Sequence, residues 1–220
     1  TSVIQAVTFA SNPGRIYVPL REVAAALGLS VDYDVAAGVK VGETYLDDLG
    51  PRLPSGATLI QPRSLAALGA RIDWDAASQK ARIYLGDLIA EIGAPPKLVV
   101  VDKTTQTLTA YQGKRVLAVF PVSTGIYDES TPVGAWVARA KERMRYSSKY
   151  NNAPMPWSVQ VVGNIFLHGS PDVPKRPASH GCVRIPISGA NPAQWLWNWI
   201  DIGTPISITG RWKPPGPAKR

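Results

Sequence analysis

The chain's only cysteine and both of its histidines fall within fifteen residues, in Leu167-His168-Gly169-Ser170-Pro171 and Ser179-His180-Gly181-Cys182-Val183-Arg184. That clustering joins one nucleophile to two candidate bases. A thiol attacks an acyl carbon well only as thiolate, and a neighbouring imidazole can take its proton to give a thiolate-imidazolium pair near neutral pH. Cys182 is therefore the candidate nucleophile. His168 would reach it across a loop, whereas His180, two residues away, would share its side of an extended backbone. Spacing does not choose between the two.

The residues around them have uses of their own. Gly181 permits a tight, open backbone, so that the amides of Gly181 and Cys182 could face a developing oxyanion. Arg184, on the same side as Cys182 if the segment is extended, could hold a substrate carboxylate in its fork of donors; the alternative is an exposed or internally paired arginine. Ser179, Trp157 and Tyr146 complete the candidate substrate contacts.

The run from His-Gly through a short variable loop to Ser-His-Gly-Cys-Val-Arg resembles the catalytic signature of the L,D-transpeptidase family, also called the YkuD domain. Ser123-Thr124-Gly125, Thr131-Pro132-Val133-Gly134 and Met155-Pro156-Trp157 resemble further parts of it, over residues 97 to 209. The resemblance implies a β-sandwich. It also implies His168 as general base, oriented by a backbone carbonyl near Gly169, and His180 shaping the pocket and assisting the oxyanion site. The implied reaction is acyl transfer on peptidoglycan stem peptides: Cys182 attacks the third residue of a tetrapeptide, D-Ala leaves, and an acceptor amine takes the thioester. With water as acceptor the same site would be an L,D-carboxypeptidase.

The elements that must carry this site read mainly as strands. Residues 97–102, 107–111, 116–122 and 206–209 are β-branched runs between turn residues, and 193–200 reads as one short helix whose Trp195, Trp197 and Trp199 are packing residues. The segment 139–157, with Arg143, Arg145, Tyr146, Tyr150 and Trp157, is longer than a hairpin needs and reads either as a lid over the cleft, a Tyr or Trp shielding the thioester from water, or as an ordinary surface excursion. Ala94-Pro95-Pro96 is a stiff connector, which places a boundary between residues 1–94 and a catalytic domain at 95–210, followed by a basic, Pro-rich tail at 211–220.

Residues 1–94 contain a diverged repeat. Ile16-Tyr17-Val18-Pro19-Leu20-Arg21, a helix through Leu27, Gly28 and Val31-Asp32-Tyr33-Asp34 recur as Leu59-Ile60-Gln61-Pro62-Arg63, a helix through Leu68, Gly69 and Ile72-Asp73-Trp74-Asp75. Two such units predict a small pseudo-symmetric α+β module, since neither buries its apolar face alone. The pattern resembles the domain named after the N-terminal region of copper amine oxidases, without implying copper, because this half has neither His nor Cys. Wall attachment and a simple spacer are equal expectations for it.

Composition narrows the partners. Residues 1–94 carry 8 Lys and Arg against 10 Asp and Glu, or −2, while 95–220 carry 16 against 6, or +10. The second half suits a polyanionic setting, whether nucleic acid, anionic lipid or anionic wall polymer, and charge alone does not choose among them. No aromatic-basic interleaving of an RNA-reading sheet is present, so nucleic acid is not expected. No apolar run approaches a membrane span, so no integral membrane segment is expected. No basic, apolar leader is read at Thr1, so any secretion signal is expected to have been removed, and export to the periplasm or cell wall is expected only from the resemblance. The single Cys cannot form an internal disulfide.

Three rival readings stand beside the transpeptidase. A metal site of His168, His180 and Cys182 lacks paired zinc spacing, so no metal or cofactor is expected. A cysteine peptidase would use the same nucleophile and base. A non-catalytic wall-binding module would hold Cys182 as a buried small hydrophobe, inert to thiol reagents.

Overall fold

A computed structural model of the protein describes residues 1–75, 78 and 80–214. Residues 215–220 of the tail lie outside the described residues. The chain is mostly β and divides into two compact units, one of residues 1–96 with 112–117 and one of 97–111 with 118–220. No described helix is long and apolar enough to cross a membrane.

The first unit contains a four-stranded sheet ordered Ser2–Gln5, Leu88–Gly93, Lys80–Leu85, Arg71–Asp75. Alternation explains its inner face: Ala81 and Ile83 are buried while Lys80 and Arg82 are exposed. The helix Leu20–Ala26 adds Leu20, Val23 and Ala24, a stripe at helical spacing, to a core containing Ile4, Val18, Ile60 and Ile92. Pro62–Leu68 is a 3-10 helix, not an α-helix, and ends at Gly69 with φ +81°. The loop tip 112–117 belongs to this unit: Arg115 pairs with both carboxylate oxygens of Glu22, and Ser55 N–H donates to the Leu117 carbonyl at 3.1 Å.

The second unit is built of two sheets. We label its elements β1 (Lys97–Asp102), β2 (Thr107–Gln112), β3 (Arg115–Pro121), β4 (Gly134–Val137), β5 (Lys141–Tyr146), β6 (Pro154–Val162), β7 (Ile165–Ser170), β8 (Val183–Pro186), α1 (Pro192–Trp199) and β9 (Pro205–Thr209). One sheet runs β3-β2-β1-β9-β4 and the other β5-β6-β7-β8. Pro192 opens α1 and Asn191 caps it, its Oδ1 accepting the Gln194 N–H at 3.1 Å. Ala193, Leu196 and Trp199 form the buried face of α1. Full burial of such side chains stabilises by about 1.5–3 kcal/mol for each aliphatic one, and more area is hidden by Trp. Lys97 and Lys141 donate their Nζ protons to the carbonyls of Trp199 and Ile200, where the helix end favours positive charge.

One topological feature decides where the site lies. β7 and β8 are adjacent and parallel. Parallel neighbours cannot be joined by a tight turn and need a crossover of a dozen or so residues. Here the crossover is the loop 171–182, and it ends in Cys182.

Candidate active site

In the β7–β8 pairing, His168 stands opposite Arg184 and Leu167 opposite Val183. Cys182, one residue before β8, therefore comes alongside the Phe166 end of β7. The two stretches singled out in the sequence meet in this way on a pocket of about 450 Å³, lined among others by His168, Ser179, His180, Cys182 and Arg184.

The crossover loop is pinned from one side by residues 123–131. Thr124 accepts the N–H groups of Ala178 and Ser179 at 2.9 and 3.1 Å. Thr131 Oγ1 accepts the Gly125 N–H at 2.8 Å and donates to the Gly181 carbonyl at 2.7 Å. Such contact needs bare backbone: a Cβ on Gly125 would overlap the Glu129 carbonyl and lie 2.8 Å from Gly181 Cα. Gly181 itself has φ +108°, a conformation L side chains avoid.

His168 is buried, and its Nδ1 lies 2.9 Å from the Gly169 carbonyl. A carbonyl only accepts, so Nδ1 carries the proton and Nε2 is left as the basic atom. Burial pushes the imidazole pKa down to about 4, with the Arg184 charge acting in the same direction. Cys182 is half-buried, and its thiol donates to the Asn164 carbonyl at 3.6 Å. Burial raises its pKa, against the Phe166 backbone hydrogen bond and the charges of Arg184 and Arg145. Both shifts favour the uncharged thiol and imidazole over the thiolate-imidazolium pair expected from the sequence. The reason is desolvation, which penalises both ions. Among the described residues no hydrogen bond joins the two side chains.

The same segment matches a known family. The sequence profile described as the YkuD, L,D-transpeptidase catalytic domain matches residues 96–208. The chain belongs to the YkuD family. No curated protein sequence matches it. Among solved structures it is similar to an L,D-transpeptidase from Stackebrandtia nassauensis at 28% identity and TM-score 0.49, over 53% of this chain and 57% of that one. It is also similar to L,D-transpeptidases from Mycobacterium smegmatis, at 19% identity, TM-score 0.47 and 94% coverage of both chains, and from Mycobacterium tuberculosis H37Rv, at 17% identity, TM-score 0.49 and coverage of 94% and 93%.

Within this YkuD domain several candidate residues sit differently from expectation. His180 does not share an extended strand with Cys182, because residues 180–182 are bends and β8 begins only at Val183. Its ring stacks on Tyr150 at 4.1 Å between centroids and lies 3.8 Å from Glu129. The Gly181 N–H, expected to face an oxyanion, donates to Ser179 Oγ at 3.2 Å, while Ser179 Oγ donates to the Cys182 carbonyl at 2.5 Å. Ser179 thus organises the loop. Gly169 supplies the carbonyl for His168, and a side chain there would collide with Ile187. Arg184 lines the pocket but is held by Asp172 at 3.2 Å.

Trp157 and Tyr146 do not line the pocket. Trp157 takes φ +56°, which breaks the strand alternation, and its ring meets Trp197 at 5.6 Å with the Arg143 guanidinium over it. Tyr146 is exposed and lies one residue beyond Arg145, which does line the pocket, so pleating turns it away. The segment 139–157 is also more regular than expected: β5 and β6 form a hairpin whose tip, together with Arg145, Pro154 and Met155, lines the pocket. Tyr150, expected as one of the lid aromatics, is the aromatic residue of this segment that lines the pocket, with its OH 3.0 Å from Glu129. Asp172 and Glu129 were not singled out in the sequence. Nothing local distinguishes them from surface polar residues.

Proposed function

We propose that this chain is an exported cell-envelope enzyme that cross-links peptidoglycan by L,D-transpeptidation, with Cys182 as nucleophile and His168 as general base. One observation carries the reading: the only thiol and a neutral imidazole with its Nε2 free to accept are brought by adjacent parallel strands onto one pocket.

In this reading the Sγ proton passes to His168 Nε2 as sulfur attacks the carbonyl of the third residue of a tetrapeptide stem. The oxyanion is met by the Cys182 N–H, since the Gly181 amide is engaged, with His180 beside it. The carbon-nitrogen bond breaks, His168 returns the proton to the departing D-Ala amine, and a thioester remains on Cys182. An acceptor amine then attacks, His168 takes its proton, and the sulfur leaves and is reprotonated. Arg184 would receive a substrate carboxylate in exchange for Asp172.

The N-terminal residues 1–94 would serve as a doubled module resembling the copper amine oxidase N-terminal-like domain, for wall attachment or spacing. Support for the doubling is that Gly28 and Gly69 each follow a helical turn at positive φ, +67° and +81°. Anionic wall polymers are the proposed partners of the basic half.

The test is incubation with defined tetrapeptide muropeptides and mass spectrometry. D-Ala loss, a Cys182 thioester and cross-linked product are expected, and Cys182→Ala should abolish all three. D-Ala loss without cross-links would reassign the site as a carboxypeptidase; absence of all three from folded protein would sink the reading.

A further inference from the structure

A second pocket in the same unit, of about 940 Å³, shares no lining residue with the thiol pocket. Lys103, Arg176, Arg211 and Lys213 line it together with Tyr127 and Trp212. Gly210 creates the wall after β9. Any side chain there would collide with Thr104 and Asp102, and Arg211 N–H bonds Thr104 Oγ1 at 3.2 Å, so residues 211–214 turn back over the pocket. Lys103 is buried and donates to Ser130 Oγ at 2.7 Å and the Thr131 carbonyl at 2.5 Å. Arg176, Arg211 and Lys213 are exposed and, among the described residues, belong to no ion pair. Beside them Tyr127, Val133 and Ile126 expose apolar surface.

We propose that this pocket binds an acidic polysaccharide, a run of sugar rings bearing carboxylates. Three unpaired cations call for a polyanion. Exposed aromatic and aliphatic surface beside them suits the apolar faces of sugar rings, and the volume is far larger than a single small anion fills. The chain's own tail is a poor occupant, because Lys219 and Arg220 repeat the sign of the lining. Choosing a polysaccharide over nucleic acid rests on the wall-enzyme reading above. The site also borders the catalytic loop: Ile126 N–H donates to the Ser179 carbonyl at 3.0 Å, so strand binding would bear on the backbone that presents Cys182.

The test uses full-length Cys182→Ala protein, so that binding is read without turnover. Labelled peptidoglycan glycan strands stripped of stem peptides, which expose lactyl carboxylates, are titrated at two salt concentrations. Trp212→Ala should weaken binding about tenfold or more. The exposed pair Arg176→Gln/Arg211→Gln, which leaves packing intact, should weaken it similarly and flatten its salt dependence. A neutral N-acetylglucosamine oligomer and a single-stranded DNA of equal charge should each bind about tenfold more weakly. Unchanged affinity in the Arg variant, or DNA binding as tightly as glycan, would overturn the proposal whatever the muropeptide assay shows.

Discussion

His168 and Cys182 are both held in their uncharged forms by the same cause, removal from water, and this has consequences for pH. Because burial raises the thiol pKa, thiolate becomes abundant in the free protein only above the ordinary thiol range. The rate of Cys182 alkylation by iodoacetamide should therefore climb through alkaline pH without a plateau at neutrality. A plateau by pH 7 would mean that a thiolate-imidazolium pair forms at rest. For His168 the folded value, about 4, lies below the ordinary 6.5. Between those values the unfolded chain takes up a proton that the folded chain refuses, so stability present above pH 6.5 is lost as pH falls toward 4. The loss should reach about 3 kcal/mol. His168→Gln should flatten the dependence of Tm on pH in that window, and an unchanged slope would show that another group governs it.

Elements decide access to the sulfur. The β5–β6 hairpin stretches its tip over the pocket, and Tyr150 anchors that tip through the His180 stack and the bond to Glu129. An aromatic stack of this kind contributes about 0.5–1.5 kcal/mol, small enough for the tip to open during turnover. Tyr150→Ala should raise the alkylation rate of Cys182 several-fold at constant pH and, in the muropeptide assay, shift product from cross-link toward hydrolysis. Tyr150→Phe, which keeps the ring and loses only the hydroxyl, should lie between it and the wild type. Identical rates for all three would remove the hairpin tip from any gating role. The crossover loop behind Cys182 is held by other contacts, Thr131 Oγ1 bridging the Gly125 N–H and the Gly181 carbonyl.

Across the whole molecule, the chain's division does not follow the connector alone. The tip 112–117 belongs with residues 1–96, where Arg115 finds Glu22 and Leu117 finds Ser55. A chain starting at Lys97 would leave the Arg115 guanidinium and the Leu117 carbonyl without these partners. Its Tm should fall by several degrees relative to the full chain, as about 1–2 kcal/mol of lost bonding implies for a domain of this size. Equal melting temperatures would show that the tip contributes nothing.

Much of this is legible in the sequence. The strands at 97–102 and 107–112, the helix at 192–199 and the Cys-His cluster follow from periodicity, proline and glycine placement, and residue chemistry, all of which act over a few neighbouring residues. The Trp-rich helix packs as its composition requires. What composition and spacing could not supply was anything set by approach in space. That Thr131 holds the Gly181 carbonyl, that Trp157 turns to α1 while Tyr150 lines the pocket, and that burial disfavours the charged forms of His168 and Cys182 depend on neighbours distant in the chain. The sequence determined which groups can react, because reactivity belongs to residue type. Only the tertiary structure decided their protonation and reach, because solvent exclusion and distance are properties of the packed chain.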